Sequence, residues 1–389
     1  MTVQPGAYPS VDAPIGPGRL QLEPGRTTSR RPPWHARFGI SWASDAVPVV
    51  LILLLGVALG PEGLAVLTPA VLAVIDPVLP VTVAALGILV GLDLTRPTTE
   101  SRLRLLPRSS LEGVTTGVLV AGGVLFLLPR AIEVGPADRW IAAVVAGACA
   151  ATSAPLPATS SDQFRSRVLR LRDLDLLAPS VVLALTLGVA RAGTLGGALA
   201  LTAQAAFLAV LVAVAAWLLL GGTTSNTEQR VFCVAALLLV GGVAEYLSLS
   251  ALVGGMVAGA FWGWLGGSAR DCVERDMEYL RHPLVVLTLL AAGAHSAFSP
   301  PLLALGAAYL VLRALGKLAG GWLLRRLPGV PLPDGLGVSL LPPGVFGVAV
   351  AVNAGASIGA AAPAVLTAVV LGSIGSQILA ASLRQGDRR

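Results

Sequence analysis

The chain has little charge. Asp, Glu, Lys and Arg make up 12% of its 389 residues, while 55% are hydrophobic and the mean hydropathy is +0.79. A soluble domain of this size carries roughly twice that charge, so a water-soluble fold is excluded. Cysteine is scarce as well. Cys149, Cys233 and Cys272 form no Cys-x-x-Cys pair, which leaves no basis for a disulfide framework or a cysteine metal site. The chain lacks a Gly-x4-Gly-Lys-Ser/Thr phosphate loop, so ATP-driven transport within it is not expected. It also lacks a paired-His motif and a Gly-x-Ser-x-Gly elbow. No enzyme, cofactor or metal centre is therefore expected. No apolar stretch lies near Met1, so no signal peptide is expected.

What the chain does have is long apolar runs. Their lengths, about 16 to 27 residues, suit bilayer-crossing helices and are too long for the roughly 10-residue strands of an outer-membrane barrel. The pattern predicts an all-α polytopic membrane protein with about twelve transmembrane helices. They fall near 45–60, 78–94, 109–128, 138–168, 174–192, 195–221, 229–246, 249–267, 281–298, 300–325, 334–355 and 360–382. Glu62–Ile75 is read as a loop with a short interfacial helix. Residues 1–44, rich in Pro, Gly, Ser and Arg, are read as a disordered cytoplasmic tail. The transmembrane domain is 45–382, and 383–389 is a short basic cytoplasmic end.

The net charge of +6 comes from arginines in short loops and implies no nucleic acid. With both termini cytoplasmic, 22 basic residues lie inside and Arg130, Arg139 and Arg191 lie outside. That asymmetry obeys the positive-inside rule and fits a multi-pass protein of the cell membrane.

Two predicted spans are broken. Thr152-Ser153-Ala154-Pro155-Leu156-Pro157 interrupts the fourth, and Leu341-Pro342-Pro343-Gly344 interrupts the eleventh. Proline lacks an N–H and clashes with the preceding turn. Irregular backbone at that depth persists only where protein or a water-filled cavity covers it. The two broken spans run in opposite directions, as expected of inverted repeats with two crossing discontinuous helices. Such breaks are the usual pointer to a transporter's binding site.

Arg313 and Lys317 stand deep in the tenth span, four residues apart and so on one helix face. A cation at mid-bilayer costs about 3 kcal/mol or more unless paired or hydrated. The pair either serves a substrate or gating site or neutralises half-helix carbonyls or a partner acid. Acids are mostly near span ends. Asp45, Asp93, Glu112 and Asp175 sit near inner ends, and Glu62, Asp76 and Glu245 near the outer face. Asp175 and Glu245 are the better candidates for a deeper role. Gly255-x3-Gly259-x3-Gly263-x3-Gly267 is a small-residue face for close helix packing, with dimerisation one use of it.

Several stretches resemble the monovalent cation:proton antiporter superfamily, the sodium/hydrogen exchanger family included. They are Gly60-Pro61-Glu62-Gly63-Leu64, Leu89-Val90-Gly91-Leu92-Asp93-Leu94, Ala150-Ala151-Thr152-Ser153, Ala244-Glu245-Tyr246-Leu247-Ser248-Leu249-Ser250-Ala251-Leu252-Val253-Gly254 and Leu315-Gly316-Lys317, in order over about 45–382. The resemblance implies the antiporter fold, with a dimerisation panel beside a six-helix core, and a homodimer. It also implies a solute:proton antiport activity. Thr152, Ser153, the Pro342, Pro343 and Gly344 break, Arg313 and Lys317 would line the site. The chain departs from the family where an acidic pair opens the fifth span, because Ala178 and Pro179 stand there. Ser153 replaces the fourth-span acid. Asp175 or Glu245 would then be the substitute acid. The resulting expectation is monovalent cation (Na+/K+):proton antiport across the bilayer. The alternatives are the same fold carrying an anionic solute, or a non-transporting membrane protein that binds a partner through its tail. An acid touching Lys317 favours the first, and a hydrated cavity lined by Arg313 and Lys317 alone the second. A dry, closed crossing favours the third.

Overall fold

A computed structural model describes residues 47–95, 106–153, 176–222, 225–247, 250–326 and 336–386. The expectations for the 1–44 tail, for the fourth span beyond Ser153, for Asp175 and for the last three residues lie outside the described residues. Among the described residues the chain is all helix, with no strand. In chain order the helices are α1 (Val47–Leu59), α2 (Pro69–Ile75), α3 (Leu79–Thr95), α4 (Leu106–Ala131), α5 (Pro136–Ala151), α6 (Leu177–Ala192) and α7 (Leu195–Gly222). They continue with α8 (Asn226–Tyr246), α9 (Ala251–Leu265), α10 (Gly267–Ala294), α11 (Pro300–Arg326), α12 (Leu336–Leu340), α13 (Val345–Gly355) and α14 (Ala362–Gly386). Among the described residues six helical stretches are long and apolar enough to cross a membrane, and four more are apolar but shorter.

Two boundaries differ from expectation. The short helix expected within Glu62–Ile75 is present as α2 and runs on toward α3. Thr68 caps α2 by accepting from Val71 N at 3.4 Å, and α2 passes through a 3-10 turn at Asp76–Val78 into α3. The result is one apolar stretch, Pro69–Thr95. The charged segment after α9 is also helical, so α10 runs unbroken for 28 residues. Four of its charges lie near opposite charges. Arg270 pairs with Glu274 one turn on at 3.7 Å, and Asp276 faces Arg275 at 3.0 Å and Arg230 of α8 at 3.8 Å. The chain reverses between α9 and α10 at Gly266 and Gly267, whose φ values of +68° and +74° suit glycine and few other residues.

The closest helix contact joins α3 to α9. A Cβ on Gly255 would lie 2.0 Å from Ala84 O, one on Gly259 2.2 Å from Ile88 O, and one on Gly87 2.2 Å from Leu252 O. Glycine on both sides lets the two backbones touch, as in lipid-embedded helix pairs generally. This corrects the dimerisation reading of Gly255–Gly263: that face is used up within the protomer, against α3. Trp262 of α9 donates from Nε1 to Ala213 O of α7 at 2.9 Å. Asn353 of α13 binds the start of α9. Its Oδ1 accepts from Ala251 N at 3.0 Å, and its Nδ2 donates to Ser250 Oγ at 3.1 Å. At one end of α10, His295 Nε2 lies 3.1 Å from Asp76 Oδ1, which ties that helix to the α2–α3 turn.

Gly259→Ala should destabilise the protein by about 1–3 kcal/mol, the usual cost of overpacking, because the new methyl meets backbone. Gly122→Ala, which would meet nothing within 4 Å, should leave stability near wild type. Thermal melts in detergent check the contrast, and equal melting temperatures for the two variants would contradict the packing account.

Candidate functional site

The second predicted break is present and buried, and the first is described as far as Ser153, where its near side is buried. α5 ends at Ala151, and Thr152 leaves the helix in extended conformation (φ −70°, ψ 150°). Thr152 and Ser153 are each 1% exposed. The second break is Leu341–Gly344, between α12 and α13, and Pro342, Pro343 and Gly344 are all buried. Irregular backbone is thus covered by protein, as its position requires. The two breaks adjoin, since a Cβ on Gly347 of α13 would lie 2.7 Å from Thr152 Oγ1 and 2.8 Å from Cys149 O.

α11 reaches both breaks with its two cations. Arg313 is the midpoint of this 27-residue helix. It is 2% exposed and donates to Thr152 O at 2.9 Å and Leu341 O at 2.6 Å. It also reaches Ser376 Oγ of α14 at 3.0 Å. Thr152 O and Leu341 O are carbonyls at helix C-terminal ends. Such ends leave carbonyls without intrahelical donors and carry negative partial charge, which favours a cation there. The planar guanidinium, with five donors in a fixed fork, can serve both ends at once.

Lys317 lies one turn further along and is fully buried. Its ammonium donates to Ala151 O, to Ser153 Oγ at 2.8 Å and to the Glu112 carboxylate, 3.0 Å from Oε1 and 3.2 Å from Oε2. Around Nζ stand a carboxylate, a hydroxyl and a helix-end carbonyl, all of them acceptor oxygens. Glu112 is 2% exposed and accepts a further bond from Thr116 Oγ1 at 3.1 Å.

Glu112 is the residue that sequence reasoning missed. The sequence sets it among the span-end acids, yet it is the seventh residue of α4 and is buried. What marks it is the helix opposite. A Cβ on Gly316 would meet Thr116 Cα at 2.8 Å, and one on Gly320 would meet Glu112 Cγ at 2.8 Å. The small-x3-small face of α11 thus receives the Glu112-x3-Thr116 face of α4. Two predicted acids fare differently. Glu245, in the last turn of α8, is exposed and is not joined to Arg313 or Lys317, because its side of α8 faces away from the protein. Asp175 lies outside the described residues. Pro179 is buried in the first turn of α6, where proline is tolerated. No group of three or more His, Cys, Asp and Glu side chains suited to a metal occurs among the described residues.

With this geometry in hand, solved structures supply a comparison. The chain shares its fold with a sodium proton antiporter. That protein is MjNhaP1 from Methanocaldococcus jannaschii, whose structure at pH 8 superposes with a TM-score of 0.59 over 86% of this chain and 89% of that one. Sequence identity is 15%, so the likeness is one of fold. No family model and no curated protein matches the chain.

Neutralising one member of the buried pair leaves the other charge unpaired, at a cost of about 3–5 kcal/mol. Glu112→Gln and Lys317→Met should each show that loss in denaturation measurements in mixed micelles, and the double variant should recover much of it. Losses that simply add in the double variant would contradict the pairing.

Proposed function

We propose that the protein is a secondary-active transporter that exchanges a monovalent cation, Na+ or K+, for protons by alternating access. The observation that carries this reading is the Glu112 carboxylate 3.0 Å from Lys317 Nζ, beside Ser153 at the first helix break. Cation exchange needs a carboxylate at the centre, and the acidic pair of the fifth span is replaced by Ala178 and Pro179. Glu112 supplies that carboxylate from another helix. It can hold a metal cation, a proton or the Lys317 ammonium. Competition for one carboxylate couples the movement of one cation to that of another. The fold likeness to a sodium proton antiporter supports the same reading.

In this proposal the two discontinuous helices cross within the membrane as halves of an inverted repeat. Both termini are cytoplasmic, twelve spans cross the cell membrane and the functional unit is a homodimer. The site is Glu112, Thr152, Ser153, Arg313, Lys317 and the Pro342–Gly344 break. An anionic solute is disfavoured because Arg313 is engaged by helix-end carbonyls and Lys317 by a carboxylate. One observation favours the other alternative, a non-transporting membrane protein: Arg313 bridges both breaks and so holds them closed against each other.

The test is proton flux in proteoliposomes that trap a pH-sensitive dye, with Na+, K+ or Li+ pulsed outside. Wild type should show cation-dependent flux. Glu112→Gln should abolish it, and Glu112→Gln with Lys317→Met should regain stability without regaining flux. Asp175→Ala is the parallel arm: flux lost there and kept in Glu112→Gln would make Asp175 the substitute acid. Wild-type silence with all three cations would sink the antiport reading in favour of the static one, and wild-type flux in Glu112→Gln would remove Glu112 from the site.

A further inference from the structure

Away from the charge pair, α4 and α11 leave an open apolar groove on the outer surface of the bundle. It has a volume of about 500 Å³ and is lined by Gly123, Phe126, Ala307, Ala308, Val311 and Leu312, among others. That volume is in the range of small-molecule sites. Phe126 is 65% exposed and Val311 56% exposed. In a membrane-spanning bundle, hydrocarbon reaches such a face.

A cation is fixed at one end of this groove. The Arg130 guanidinium stacks 4.0 Å from the centre of the Phe126 ring. Its Nη1 donates to Phe126 O at 2.9 Å. Arg130 is the penultimate residue of α4 and is exposed. The α4 lining of the groove ends at Leu127, and Arg130 stands about 5 Å further along the helix, at the end of α4 where lipid headgroups would lie. An arginine has five N–H donors, and its fork matches the oxygens of a phosphate. Ring and backbone hold the guanidinium in place while leaving donors to spare. An apolar trough with a fixed phosphate-matching cation at its headgroup end is complementary to one kind of molecule.

We propose that the α4–α11 groove is a binding site for an anionic phospholipid, with an acyl chain against Phe126, Ala307 and Val311 and the headgroup phosphate on Arg130. The lipid would lie across the two helices that carry Glu112 and Lys317. The inference rests on the groove and Arg130 and is independent of the transport reading.

The test uses purified full-length protein in detergent, titrated with phosphatidylglycerol or phosphatidylcholine and read by native mass spectrometry. Wild type should prefer phosphatidylglycerol. Arg130→Gln should weaken phosphatidylglycerol about ten-fold, the loss of one charge-assisted contact, and phosphatidylcholine less, because its choline cation already offsets the phosphate charge. Ala307→Trp and Val311→Trp, which fill the groove from exposed positions, should weaken both lipids alike. All three variants should melt with wild type in lipid-free detergent. Equal affinity for the two lipids in wild type, or unchanged phosphatidylglycerol binding in Arg130→Gln, would overturn the proposal. So would full binding in both tryptophan variants, since the retained lipid would then be non-specific annular lipid.

Discussion

The Lys317 ammonium is fully buried, and a buried ammonium dictates what surrounds it. Taken out of water without partners it would cost several kcal/mol even after relaxation. It must therefore collect oxygen atoms, and those atoms come from separate parts of the chain. Glu112 comes from α4, and Ala151 and Ser153 come from the end of α5. One turn away, Arg313 collects Thr152 O, Leu341 O and Ser376 Oγ. Two cations on one helix face thus fix the relative positions of four other elements. The helix breaks are part of the same arrangement, because broken helices present carbonyls sideways that an intact helix would bond internally.

Small residues make that convergence possible. Gly316 and Gly320 bring α11 against α4 closely enough for Lys317 to reach Glu112. The α3–α9 contact applies the same device where no charge is present. One sequence feature, glycine repeated every four residues, thus builds both a charged site and an inert joint. What distinguishes them is the opposing helix, with Glu112 and Thr116 facing α11 and Ala84 and Ile88 facing α9.

Much of the candidate site was legible in the sequence because it violates local rules. Prolines inside an apolar run and charges at mid-span stand out without knowledge of any neighbour. Thr152, Ser153, Arg313, Lys317 and the Pro342–Gly344 break were found in that way, and all lie where the two breaks meet. Glu112 violates no local rule. An acid six residues into a helix is ordinary, and only its partner across the helix interface makes it special. The partner of the Gly255–Gly263 face was illegible for the same reason, since a small-residue stripe specifies close approach and not which helix approaches. Glu245 was chosen for its motif, yet exposure is set by how α8 packs. The helical path through the charged start of α10 was hidden by composition, because pairing between Arg270 and Glu274 and between α8 and α10 stabilises a segment that reads as loop.

Lys317 is the chain's single lysine. Isotope-labelled lysine therefore yields one ammonium signal in solid-state magnetic resonance spectra of the protein in lipid bilayers. The account predicts a direct dipolar contact from that nitrogen to a glutamate carboxyl carbon. The contact should be absent in Glu112→Gln, and the signal should exchange slowly with bulk water. A lysine nitrogen with no carboxyl neighbour, exchanging freely with water, would contradict the claim that a buried Glu112–Lys317 pair organises the site.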